Sequence, residues 1–197
     1  MRRVPLVSTR RPQGTELAAW LERQRATAPS FEGPLPDSAP PGFDLDVERV
    51  PLGAGGVVFA AAREALRRWA HCELGWLEAA PRAAPPAPGL VFAMLARVAG
   101  LWFANACRVR RVVDEERAAG YEHVTLADHA ERGAESFLVR WAADDAVSFE
   151  IRGVSRPARW WVAAGRPVAR AAQARFRRDA AAALQRAVRA ALDARAV

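Results

Sequence analysis

The chain has 197 residues, 51% of them hydrophobic, which suits one domain with a sizeable core and excludes a disordered chain. Its formal charge is +7, with 29 basic residues that are all arginine; beside so much alanine, that bias fits the codon preference of a GC-rich genome and says little about partners. Two cysteines, Cys72 and Cys107, imply no disulfide framework and fit a reducing, cytoplasmic compartment, and the stretch MRRVPLVSTRRPQ lacks the apolar segment of a secretory signal.

Residues 1–14 read as a loose arm. Thr15 is placed to cap a short helix to about Ala26, with Leu17, Trp20 and Leu21 on one face. Residues 28–42 are rich in proline, serine and glycine and read as a linker laid over the surface. Leu45, Val47 and Arg49 alternate with Asp46 and Glu48 in a first strand, which Pro51 and the glycines up to Gly56 are expected to break. That glycine-rich turn carries neither G-K-[ST] nor G-x-G-x-x-G, so it reads as a tight strand-to-helix turn and not as a phosphate cradle. Val58, Ala61, Ala62, Ala65, Leu66 and Trp69 then form the apolar stripe of a helix over residues 57–70. His71-Cys72 follows as a partly buried pair, two adjacent metal-ligand types with no third or fourth.

Residues 76–80 read as a short strand, and residues 89–96 and 101–114 as two longer ones. The apolar run 90–107 raises the question of a membrane span, but Arg97 near its middle would cost about 2.5–3.5 kcal/mol at mid-bilayer. Gly100 offers a turn there, so two buried strands are expected and no span. Residues 120–126 make another strand. Beyond it, Asp128, His129, Glu131 and Glu135 are read as a polar loop ahead of the hairpin, the densest group of titratable side chains in the chain. Glu135, Phe137, Val139 and Trp141 alternate with Ser136, Leu138 and Arg140, and Val147, Phe149 and Ile151 with Ser148, Glu150 and Arg152, which marks a hairpin turning at Ala143-Asp144-Asp145. Residues 156–166 form a connector carrying Trp160-Trp161. A last helix starts at Pro167, with Phe176, Ala180, Leu184, Val188 and Leu192 on its buried stripe and Arg170, Arg177, Arg178, Gln185 and Arg189 mostly facing solvent.

The stretch YEHVTLADHAERGAESFLV resembles the signature of the DUF1990 (UPF0548) family, roughly G-F-x-Y-G-T-L-x-G-H-x-E-x-G-E-E-x-F. Residues 40–43 (PPGF), Leu52-Gly53-x-Gly55, residues 100–102 (GLW), 105–109 (NACRV), 155–157 (SRP) and Gln173-x-x-Phe176 are similar to the family as well. Departures lie at His123-Val124, Ala127-Asp128 and Ala134, where the family pattern has tyrosine-glycine, proline-glycine and the first glutamate of G-E-E. The family is named for an unknown function, so the resemblance implies little chemistry. The element order, a strand, a helix, six more strands and a long terminal helix, resembles the helix-grip fold of the START and Bet v 1 superfamily (SRPBCC): an α+β fold with a curved antiparallel sheet of about seven strands around the C-terminal helix. Residues 1–42 would form an N-terminal extension and residues 43–197 the domain.

The leading expectation is a protein that binds a small, largely apolar molecule between sheet and terminal helix. Trp102, Phe103, Phe137, Trp141, Phe149, Trp160 and Phe176 would wall the cavity, with Arg156, His129 and Glu135 as its polar contacts. A second reading is nucleic-acid binding through Arg2, Arg3, Arg10, Arg11, Arg67, Arg68, Arg175, Arg177 and Arg178, with no RNA-binding motif to support it. A third is an enzyme in which Glu135 orients His129 as general acid or base; the structural alternative has both residues fixing the loop through Arg132 or backbone groups. No G-x-S-x-G elbow is present, Cys107 sits in an apolar strand that would leave it inert, and no cofactor or metal motif is found, Asp128, His129, Glu131 and His123 lacking a fixed ligand spacing.

Overall fold

A computed structural model describes residue 4 and residues 6–82 and 84–195. The elements are β1 (Val7–Ser8), α1 (Gly14–Gln24), β2 (Asp44–Ala54), α2 (Gly55–Arg67), a single 3-10 turn (Ala70–Cys72), β3 (Leu77–Ala80), β4 (Val91–Val98), β5 (Leu101–Asp114), β6 (Ala118–Thr125), β7 (Glu131–Trp141), β8 (Ala146–Pro157), α3 (Trp160–Ala164) and α4 (Arg166–Asp193). The strands form one antiparallel sheet in the order β2-β8-β7-β6-β5-β4-β3, with β1 pairing β5 off that path. This is the α+β helix-grip architecture: the long C-terminal helix lies against the sheet's inner face. No helix among the described residues is long and apolar enough to cross a membrane.

Each face of the sheet has its own core. On the inner face, α2, the 3-10 turn and α4 cover Phe92, Val109, Tyr121, Phe137, Val139, Phe149 and Ile151. On the outer face, Leu17, Trp20 and Leu21 of α1 pack on Val91, Ala93, Leu95, Ala104 and Ala106. The chain between α1 and β2 lays Phe31, Leu35 and Phe43 over Val124, Ala134 and Val154. Gly120 permits the close pairing of β6 with β7. Its φ of +151° and the carbonyl oxygen of Phe137, only 1.9 Å from where a Cβ would stand, leave room for glycine alone.

Several sequence expectations are corrected. The first residues are not a loose arm, since Val7–Ser8 pair with Phe103 and Trp102 and Val4 is buried; residues 1–3 and 5 lie outside the described residues. Thr15 does not cap α1, because the helix starts two residues earlier than that cap would place it, with Gln13 at the cap position and no side-chain cap. Pro51 does not end β2. The strand is at the sheet edge, where a missing N–H costs no ladder bond, and it absorbs Pro51–Gly53 as an irregularity. Glu131 and Glu135 lie on β7 and not in the loop before it, and the connector after β8 contains the short helix α3. His71 and Cys72 are wholly buried. Desolvation pushes the Cys72 and Cys107 thiols well above their usual range, and the His71 Nε2 bonds the Tyr121 hydroxyl at 2.8 Å.

Candidate functional site

A cavity of about 350 Å³ lies between the N-terminal half of α4 and the inner face of the sheet. Its apolar wall comes from Trp76, Met94, Val98, Phe103, Trp161 and Phe176. Small residues hold the space open: Ala96 on β4, Gly133 on β7, Gly153 on β8, and Ala169 and Ala172 on α4. Gly133 cannot be replaced within this pairing, because a Cβ there would stand 1.9 Å from the carbonyl oxygen of Val154.

The polar wall is built from neighbouring strands. His123 and Glu135 are directly paired across β6 and β7, and His123 Nε2 lies 3.9 Å from Glu135 Oε2. Burial raises the Glu135 carboxyl to about 8, against the lowering influence of Arg177, so at neutral pH it is a hydrogen-bond donor. Burial lowers His123 to about 3, with His129 and His71 adding to the effect. Both groups are therefore neutral. The Nδ1 of His123, on a side chain only 4% exposed, has no hydrogen-bond partner among the described residues. Glu131 is raised to about 7, first by burial and then by the charge of Asp44.

His129 occupies the loop between β6 and β7, and burial lowers it to about 4. Its Nδ1 accepts the Glu131 backbone N–H at 2.9 Å, so the neutral ring carries its proton on Nε2. This loop is anchored from both faces of the sheet. Asp128 accepts bonds from Trp20 Nε1 (3.0 Å) and Gln24 Nε2 (2.8 Å) of α1, and the Ala130 N–H donates to Asn105 Oδ1 at 3.0 Å. On the opposite rim, Asp46 of β2 binds Arg170 (2.6 and 2.7 Å) and Arg177 (3.1 Å) of α4. Burial works to raise that carboxyl, but the two guanidiniums outweigh it and hold it below its ordinary value.

Of the residues named from the sequence, Phe103, His129, Glu135 and Phe176 are on the cavity wall. The other six are elsewhere. Trp102 points to the outer face against the α1 cluster. Phe137 and Phe149 sit deeper in the closed core, and Trp141 packs on Phe59 of α2 with ring centroids 5.9 Å apart. Arg156 stacks over Phe43 on the outer face, 4.7 Å from the ring centroid, and Trp160 is 82% exposed. Glu135 does not orient His129; its imidazole neighbour is His123, because the sheet pairs β6 with β7 in that register. Arg177 and Arg170, expected in solvent, are the partners of Asp46, and Arg175 lies over the Trp76 ring and pairs with Asp179.

Residues on the wall that are left out of the cavity contacts expected from the sequence are Asp46, His123, Trp161, Gln173 and Arg177; Trp161 enters there only with Trp160, as an alternative between pocket mouth and sheet base, and His123 only as a metal-ligand type. Arg177 and Gln173 had a signal: they flank Phe176 on the continuation of the buried stripe of α4. Among the described residues no group of three or more histidines, cysteines and carboxylates is arranged to hold a metal.

A family model described as a domain of unknown function, DUF1990, matches residues 27–183. A UPF0548 protein of Dictyostelium discoideum is 32% identical over 146 residues, 68% of either chain. A UPF0548 protein of Deinococcus radiodurans is 31% identical over 195 residues, 90% of this chain and 96% of that one. Among solved structures, a hypothetical protein of Helicobacter pylori superposes with a TM-score of 0.51 at 12% identity, covering 72% of this chain and 84% of that one, a likeness of fold alone.

Proposed function

The chain belongs to the DUF1990 family of unknown function, and from that premise we propose that it binds a small, largely apolar molecule in the cavity beneath α4. The cavity itself is the observation that supports this reading. Protein interiors pack at crystal density, yet here a space of about 350 Å³, within the range of small-molecule sites, is held open by alanines and glycines. Its polar wall offers uncharged donors: the Glu135 carboxyl and the Nε2–H of His129. Such a wall favours a ligand with an apolar body and a hydrogen-bond acceptor, such as a carbonyl oxygen, at one end.

Native mass spectrometry of freshly purified protein, repeated after denaturation, tests the proposal. The expected result is an extra mass that leaves on denaturation and that an Ala172→Phe variant, with its ring in the cavity, does not carry. A bare chain that shows no thermal shift with any member of a panel of small carbonyl compounds would sink it.

A second reading is favoured by the 3.9 Å approach of His123 to Glu135. A neutral imidazole beside a protonated carboxyl can move a proton on and off a bound molecule. In that reading His123, and not His129, partners Glu135. A His123→Gln variant is then expected to keep ligand and stability and to lose turnover; a parallel loss of stability would make His123 structural.

A further inference from the structure

The cavity opens at one end of the sheet, and the surface around that opening differs from the rest of the molecule. Val168 lines the cavity and is itself 61% exposed, which puts the opening at the first turn of α4. Trp161 lines the cavity while its neighbour Trp160 stands 82% exposed. The β4–β5 tip lies at the same end, because the Ala106 N–H bonds the Asp128 carbonyl and the Ala158 N–H bonds the Ala130 carbonyl. This tip carries Leu101, 38% exposed, between the cavity residues Val98 and Phe103. Of the six exposed large hydrophobic side chains among the described residues, three are thus at this end.

The exposed charges there that have no ion-pair partner among the described residues are arginines. Arg132 and Arg156 face each other across β7 and β8. Arg159 immediately precedes Trp160 and donates to the Ala127 carbonyl at 3.4 Å. All three are exposed, and none has a carboxylate partner among the described residues, whereas Arg166, Arg170 and Arg177 nearby are tied to Asp44 and Asp46.

We propose that this end of the molecule docks on an anionic lipid surface, with Trp160, Val168 and Leu101 entering the headgroup boundary and Arg132, Arg156 and Arg159 meeting lipid phosphates. An indole is stable where one edge is apolar and the other wet, and guanidiniums beside it gain from a negative surface. The three apolar side chains come from three separate elements, α3, α4 and the β4–β5 tip, so each would enter the boundary on its own. Docking would set the mouth of the cavity against the bilayer, so that its occupant passes between protein and lipid without crossing water. That last consequence rests on the binding proposed above; the docking does not.

The test is co-sedimentation of the full chain with vesicles of phosphatidylcholine alone and of phosphatidylcholine mixed with phosphatidylglycerol, at low and at physiological salt. Binding only to the mixed vesicles is expected. Trp160→Ala, with unchanged thermal melting because the ring is exposed, is expected to weaken it about tenfold. Arg132→Glu with Arg159→Glu is expected to weaken it by a similar or larger factor. The control is Arg186→Glu with Arg189→Glu, the same change of charge on exposed positions of α4, about 27 Å along the helix from Val168. This control should retain most of the binding. No binding to the mixed vesicles, equal losses in both charge-reversed pairs, or indifference to Trp160→Ala would each overturn the proposal. Vesicle binding by a protein that carries no ligand would count against the cavity reading alone, and a ligand-bearing protein that ignores vesicles against the docking alone.

Discussion

Along β7, Trp141, Phe137 and Glu135 point to the same face of the sheet but meet different neighbours. Trp141 packs on Phe59 of α2. Phe137 sits among His71, Tyr121, Phe149 and Phe176, with centroid distances of 4.6 to 6.5 Å. Two residues further on, Glu135 faces open space. The difference lies in what covers the strand. Over the Trp141 half, α2 and the 3-10 turn add a layer of large side chains between sheet and α4. Over the Glu135 half, α4 presents Ala169 and Ala172, and the sheet answers with Gly133 and Gly153. One end of the same two-layer arrangement is a core, and the other is a site.

The strongest way to break that contrast is to hollow the filled end. Phe149→Ala removes a wholly buried ring whose surroundings are fixed by α2 and α4. It is expected to cost about 3–5 kcal/mol. Met94→Ala, also buried but lining the cavity, only widens a space that already exists and should cost under about 2 kcal/mol. Urea denaturation of both variants checks the pair; equal costs would mean that the cavity end is packed as tightly as the core.

The converse is to add one methyl where the site needs none. Gly133→Ala would place a Cβ against the Val154 carbonyl, so β7 and β8 must separate at the cavity wall. The expected cost is about 3 kcal/mol. Because Gly153 on the adjacent strand has only an ordinary 3.5 Å contact with Glu135, Gly153→Ala is expected to cost less than half as much in the same assay, and a reversed ranking would show that the β7–β8 spacing is not what fixes the wall.

The alternation of residues 135–141 and 147–152 made the hairpin and its buried face legible, and the spacing of Phe176, Ala180, Leu184 and Val188 made the terminal helix legible. Periodicity names a face but not a position along it. Choosing Phe137, Trp141 and Phe149 as cavity wall followed aromatic size, whereas a cavity appears where side chains are small. The edge strand misled for another reason. In β2 the apolar Leu45 packs on the outer face while Asp46 turns inward to Arg170 and Arg177, so an apparently solvated carboxylate anchors the helix at the rim. His123 was hidden because a single histidine in an alternating strand carries no spacing of its own; only the β6–β7 register brings it to Glu135.

The smallest expected effect concerns that carboxyl, and it sharpens the contrast between the two ends in terms of charge. Burial raises Glu135 from an ordinary 4.5 to about 8, so the folded chain keeps a proton that the unfolded chain has released throughout that window. Stability therefore falls as pH rises from about 4.5 to about 8, and Glu131, raised to about 7, steepens the lower part of the fall. The histidines act in the opposite sense at lower pH. His71 and His123 are lowered to about 3 and His129 to about 4, so the unfolded chain takes up protons first and stability is lost as pH drops below 6.5. Glu135→Gln keeps a donor at the wall and removes the titration. With the side chain 23% exposed, part of the desolvation is relieved by water at the opening, and the gain over the wild type should reach about 2 kcal/mol at the top of the window and vanish at its bottom. Urea denaturation at both ends of the window measures it. An identical pH slope in the two proteins would mean that Glu135 is ionised at neutral pH, and the polar wall of the cavity would then suit a cationic ligand in place of a carbonyl.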